Sequence, residues 1–214
     1  MTKLMLSAGV AFALLMAGGS ASAHPHVWVT VKSEIVFASD GSVTGVRHAW
    51  TFDDMFSAFA TQGIDAKTKG DFTREELQPL AKVNVESLNE YDYFTYAKVN
   101  GATKKETFAE PIDYWLSYDS KSGELTLHFT LPLKTPVRAR TLDIGLYDPE
   151  FFIYFAFAEK NAVRLAGAPS QCKAALARPK NDSFPSSLRG LFSSSEANAG
   201  MGAQYAQGIV VKCP

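Results

Sequence analysis

Four histidines and two cysteines carry whatever metal or redox chemistry this 214-residue chain can offer. Two of the histidines stand almost together in His24-Pro25-His26. Just ahead of them, Ala21-Ser22-Ala23 is a small-x-small site of the kind that ends a secretory signal, so cleavage there makes His24 the new amino terminus. An amino-terminal histidine presents both its α-amino nitrogen and a ring nitrogen. His26 falls on the same side of an extended chain, because side chains alternate with period 2. Imidazole nitrogen suits Zn, Cu, Ni and Co. The square-planar copper site that uses a third-position histidine needs the second residue's amide nitrogen, and Pro25 has no N–H to give. That mode is excluded, whereas a clasp by amine and imidazoles is open. Two polar histidines that merely begin a strand near the surface fit the same residues.

His48 is the next candidate. Alternation over Val43 to Phe52 puts Val46, His48, Trp50 and Phe52 on one face, so the plain account is a buried histidine with one hydrogen-bond partner. A metal role follows if the hairpin turn at Ser39 to Ser42 returns His48 beside His26. Asp53-Asp54 then opens a short helix, Met55 to Gln62, where acids suit the positive end of the dipole. Their carboxylates can cap the helix, orient a ligating imidazole or bind metal. His128 lies on the polar face of Glu124 to Leu133, opposite Leu125, Leu127, Phe129 and Leu131. It is expected to face solvent, with a ligand role secondary. Cys172 and Cys213 form an even pair in an exported chain, so a disulfide is expected. It would close a loop of about 40 residues, stabilising the fold by roughly 3 to 4 kcal/mol. A thiolate site is the weaker reading, since there is no Cys-x-x-Cys.

Asp65 to Glu76 has the spacing of a calcium loop, with Asp65 at position 1, Gly70 at 6 and Glu76 at 12. Lys67 and Lys69 occupy positions 3 and 5, where the ion requires oxygen ligands. Calcium is therefore not expected. Thr73-Arg74-Glu75-Glu76 reads as a capping box for a second helix ending near Glu90.

These residues need a frame to hold them, and the pattern supplies one. Lys3 followed by the apolar run Val10 to Ala17 marks residues 1–23 as a signal peptide. No apolar run reaches the roughly 20 residues of a spanning helix, so the mature form is expected to have no membrane span. Removing Lys3 leaves 20 basic against 22 acidic side chains, with no basic block, which speaks against nucleic acid. Alternating runs bounded by turns predict strands over Val27–Phe37, Val43–Phe52, Tyr93–Val99, Ile112–Tyr118, Glu124–Leu133, Thr141–Tyr147 and Gly208–Lys212. Phe151 to Phe157 is so aromatic that it must be covered on both faces. A Ser-, Ala- and Gly-rich stretch within about 180–207 reads as a mobile loop. The expectation is mostly β: an antiparallel sandwich of seven to nine strands in one domain, 24–214, with a helical insertion over about 53–90. No nucleophile elbow, phosphate loop, dinucleotide fingerprint or His-Glu-x-x-His is present.

His24-Pro25-His26-Val27-Trp28, the run Val46 to Asp53, the degenerate calcium-like loop, Tyr93 to Tyr96, His128 to Leu133 and Tyr147 to Phe152 together resemble a bacterial periplasmic family, domain of unknown function 1007. That family is often labelled the periplasmic component of an uncharacterised ABC-type transport system. The resemblance spans nearly the whole mature chain. It implies a companion of nickel and cobalt transporters, with His24, His26 and His48 as metal ligands and Asp53 and Asp148 as candidate partners. The ABC label sits poorly with the pattern, since solute-binding proteins of that class have two α/β lobes and no βαβ alternation occurs here. The resulting expectation is a periplasmic carrier or accessory that binds a divalent transition metal (Ni, Co, Zn or Cu) and serves an inner-membrane metal transporter. A protein-binding adaptor without metal and a copper enzyme with an amino-terminal clasp are the alternatives.

Overall fold

Apolar side chains fall on every second position of the first two strands, and this alternation decides which face of the larger sheet is buried. In β1 (Val27–Phe37) the inward residues are Val27, Val29, Val31, Ser33, Ile35 and Phe37, while Trp28, Thr30 and Lys32 point out. In β2 (Val43–Phe52) Val46, His48, Trp50 and Phe52 point in. The computed structural model describes residues 25–102, 106–177, 202 and 205–214. The expected signal peptide, His24 and most of the expected loop over 180–207 lie outside the described residues.

The remaining strands are β3 (Thr95–Val99), β4 (Ile112–Asp119), β5 (Glu124–Val137), β6 (Thr141–Leu146), β7 (Ile153–Phe157), β8 (Val163–Ala166), β9 (Lys173–Ala177) and β10 (Gln207–Lys212). One sheet has the order β4-β5-β2-β1-β7, with β8 also pairing β1; the other has the order β3-β6-β10-β9. The inward faces of both meet in one core, where Val31, Ile35, Trp50 and Phe129 share a cluster with Leu142, Ile144, Ile209 and Val211. The chain is thus mostly β and sandwich-like, with the helices inserted after the second strand as the pattern indicates.

Three expectations need correcting. The larger sheet is mixed, because β7 and β8 both run parallel to β1. The described residues hold ten strands, since β8 and β9, of four and five residues, are too short to leave a periodic signal. The strand expected from Tyr93 begins at Thr95, because Asp92, Tyr93 and Phe94 form a left-handed turn with φ of 51°, 54° and 46°. Left-handed backbone costs an L-residue roughly 1–2 kcal/mol, and packing holds this one. Tyr93 and Phe94 are buried, Phe94 stacks on Tyr91 at 5.1 Å, and the Tyr93 hydroxyl donates to Asn89 Oδ1 at 3.1 Å.

Between β2 and β3 come α1 (Asp54–Ala60) and α2 (Arg74–Leu88). The capping box is made as expected: Thr73 Oγ1 accepts from Glu76 N and Glu76 Oε2 accepts from Thr73 N. Glu76 Oε1 takes the Lys67 amide at 2.9 Å. The carboxylate that a calcium loop would supply at its twelfth position is therefore bound to the backbone. The Thr73 amide, then the Lys67 amide, hold its pKa below the usual value. α2 turns Leu77, Ala81 and Val85 into the core beside Leu116 of β4.

At Gly45 the β2 backbone passes so near β5 that an added Cβ would lie 2.5 Å from Leu131 O and 2.9 Å from Pro132 Cα. Gly45→Ala should cost about 2 kcal/mol by forcing the two strands apart. Urea unfolding of the variant checks this; an unchanged midpoint would mean that the pair separates freely.

Candidate functional site

The candidate ligands are distributed by strand register. β1 and β2 pair antiparallel, with Val29 opposite Phe52 and Ser33 opposite His48. His48 thus lies seven residues along from His26, about 23 Å at the usual strand rise. The expected return of His48 to the start of β1 does not occur: a tight turn puts the carboxyl end of β2, Phe52 and Asp53, beside the start of β1.

His48 is 1% exposed and lies between Trp50 and Phe129, with ring centroids 5.5 Å and 5.2 Å away. Nδ1 lies 3.0 Å from Ser33 Oγ and Nε2 lies 3.4 Å from Thr95 Oγ1, so both ring nitrogens have hydroxyl neighbours from opposite sheets. Burial lowers its pKa to about 3. This is a neutral imidazole inside the sandwich.

Asp53 occupies the start of the larger sheet in a different role. Oδ1 accepts from Phe56 N and Oδ2 from Trp28 N, both at 2.8 Å, while Asp53 N donates to Trp28 O at 3.0 Å. It caps α1 and ties that helix to β1. Asp148 is 4% exposed and accepts from Glu150 N and Ile153 N, each at 2.9 Å, which fixes the turn leading into β7. His128 is half-buried instead of solvent-facing. Its ring stacks on Trp115 at 3.8 Å, Nε2 meets Ser117 Oγ at 3.0 Å, and Arg74 lies over the Trp115 ring at 4.6 Å. Desolvation, then the Arg74 charge, lower its pKa. The reason is α2: its first residue, Arg74, reaches over a face that the strand pattern leaves open.

His26 is the exposed member of the set. Its backbone N–H donates to Phe152 O at 2.9 Å and its ring lies 4.8 Å from the Phe152 ring. The structure does not gather His26, His48, Asp53, Asp148 and His128 into one set of ligands: His48 and His128 lie among other partners, and the Asp53 and Asp148 oxygens each accept a backbone amide. Among the described residues no group of three His, Cys, Asp or Glu side chains is close enough to hold an ion. His24 lies outside the described residues. Cys172 and Cys213 are joined as expected, in a disulfide across 41 residues. That bond fits a protein outside the cytoplasm. Among the described residues no helix is long and apolar enough to cross a membrane.

The feature that sequence reasoning missed is a cavity of about 380 Å³ between the larger sheet and the α2 segment. Val29, Trp50, Phe52, Phe94, Leu127 and Phe155 line it, and Asp148 and Glu150 belong to its lining. Its one sequence signal is the aromatic run ending at Phe157, which demands cover without saying what supplies it.

A family model described as "Protein of unknown function (DUF1007)" matches residues 9–213. An "Uncharacterized protein" of Haemophilus influenzae is 23% identical over 216 residues, covering 99% of this chain and 98% of that relative. An "Uncharacterized 15.5 kDa protein in trpE 3'region" of Spirochaeta aurantia is 31% identical over 102 residues, covering 47% of this chain and 70% of the relative.

Proposed function

Because this chain belongs to the DUF1007 family, we propose that it is a periplasmic accessory of an inner-membrane metal transporter, and that it takes a divalent transition metal at its amino terminus. The ligands are the α-amine and ring of His24, freed by signal cleavage, together with the ring of His26; His48 takes no part. The observation that supports this reading is the position of His26. It is exposed immediately ahead of a central strand, and its backbone N–H is anchored to Phe152 O, so the ring is presented from a rigid base. A metal bound there gains imidazole and amine nitrogens that suit Ni, Co, Zn or Cu.

Metal titration of protein purified with its native amino terminus tests the reading. His26→Ala, or one extra residue ahead of His24, should each lower copper and nickel affinity by at least about tenfold, as loss of even an indirect supporter of a metal does. His48→Gln should leave affinity unchanged. Affinity should also weaken from neutral pH toward pH 5, where protons compete for the amine and imidazoles. Equal affinity in all the variants would remove the amino-terminal site.

A second reading, an adaptor that binds protein without metal, is favoured by Met55 and Phe59. They stand one turn apart on α1 and are 79% and 70% exposed. Binding to the transporter that survives chelation and is lost in a Met55→Ser, Phe59→Ser variant would select it.

A further inference from the structure

We propose that the cavity between the larger sheet and α2 is a binding site for a small apolar amine, its hydrocarbon or aromatic body inside and its ammonium group at the acidic rim. The volume, about 380 Å³, lies in the range of small-molecule sites, which bury an apolar body and fix it with few polar groups. The walls are strand residues Val29, Trp50, Leu127 and Phe155 on one side and Leu88, Tyr91 and Phe94 on the other.

Charge selects the ligand. The charged lining residues are Asp148 and Glu150, both acidic, and no Lys, Arg or His lines the cavity among the described residues. Asp148 is 96% buried by its 4% exposure, and each of its oxygens accepts one backbone amide. A carboxylate offers about four acceptor sites, so roughly half of its capacity remains for a donor. An ammonium that reaches it makes a charge-assisted hydrogen bond, stronger than one between neutral groups. Carboxylate-bearing ligands such as fatty acids meet repulsion at the same rim.

One side of the cavity has left-handed backbone. One wall is carried by the left-handed turn Asp92-Tyr93-Phe94, which sets Phe94 into the cavity and stacks it on Tyr91. Sparsely populated backbone held in place by its surroundings gathers at ligand clamps.

The test uses three probes with one naphthalene body and different head groups: 1-naphthylmethylamine, 1-naphthalenemethanol and 1-naphthoate. Each is titrated calorimetrically into the mature full chain, with EDTA present so that no metal contributes. The amine should bind with one-to-one stoichiometry and about tenfold or more tighter than the carboxylate, the size of effect expected for one charged hydrogen bond. Glu150→Gln, at an exposed position, should weaken the amine several-fold and leave the alcohol unchanged. Ser87→Trp fills the mouth from α2 and should weaken every probe at least about tenfold, whereas Gln78→Trp, exposed on the same helix more than two turns earlier and absent from the cavity lining, should not. Equal affinity for amine and carboxylate, or wild-type binding by Ser87→Trp, overturns the proposal. Because EDTA is present throughout, failure here leaves the amino-terminal metal site untouched, and failure of the metal site leaves this one standing.

Discussion

Between pH 7 and pH 4 the fold is expected to lose about 3 kcal/mol of stability through one side chain, His48. Burial lowers its pKa from 6.5 to about 3. Above pH 6.5 neither the folded nor the unfolded state carries the proton. Below it only the unfolded chain does, so stability declines steadily as pH falls and levels off near pH 3. Each pH unit in that window is worth about 1.4 kcal/mol. Carboxylates with lowered pKa, Asp40 and Glu76 among them, add to the acid loss, so a difference measurement is needed. His48→Gln keeps a polar group near Ser33 and Thr95 but cannot titrate. Urea unfolding of both proteins at pH 7, 5.5 and 4 should show the wild type losing about 3 kcal/mol more than the variant. Parallel curves would mean that water or a partner reaches the imidazole.

Opening the disulfide should have a still larger effect. Cys172 and Cys213 close a 41-residue separation, for which the chain-entropy model gives about 4 kcal/mol. The bond lies just beyond the Lys173–Lys212 pair that ends the β9–β10 ladder. Cys213 N also donates to Arg140 O at 2.8 Å, beside the start of β6. A Cys172→Ala, Cys213→Ala protein should unfold at a much lower denaturant concentration, with β9 leaving its sheet first. Hydrogen exchange at Ala174 and Ala175 reads that local loss. A change under about 1 kcal/mol would show that the unfolded chain is already compact around this loop.

Local rules made part of this architecture readable from the residues. Period-2 alternation places Val29, Val31, Trp50, Leu127 and Phe129 inward, and the Thr73–Glu76 box starts its helix where the side chains dictate. Asp53 is legible as a cap for the same reason. Long-range register is not local. His48 can be assigned to the inward face, yet which residue of β1 it meets depends on the turn after Phe37, and the answer is Ser33. Nor does alternation reveal that β7 runs parallel to β1, or that Arg74 and Trp115 cover His128. The cavity was hidden most completely. Its walls come from β1, β2, β5, β7, α1, α2 and the turn after α2, and no stretch of sequence contains enough of them to show a concave surface.

The position of β1 also governs when the molecule can be finished. One edge of this strand meets β2 across a short turn, but the other waits for its parallel partners: Val27 for Ile153 and Ser33 for Val163. A chain emerging amino end first can zip the early hairpin quickly, whereas closing the far edge requires most of the polypeptide to be present and an entropically expensive loop to be formed. Until then the nascent sheet exposes a row of unpaired amides and carbonyls beside valines, the kind of edge that recruits other chains. High contact order around its first strand is therefore expected to slow folding and to leave that edge open to other copies until the last third of the chain arrives.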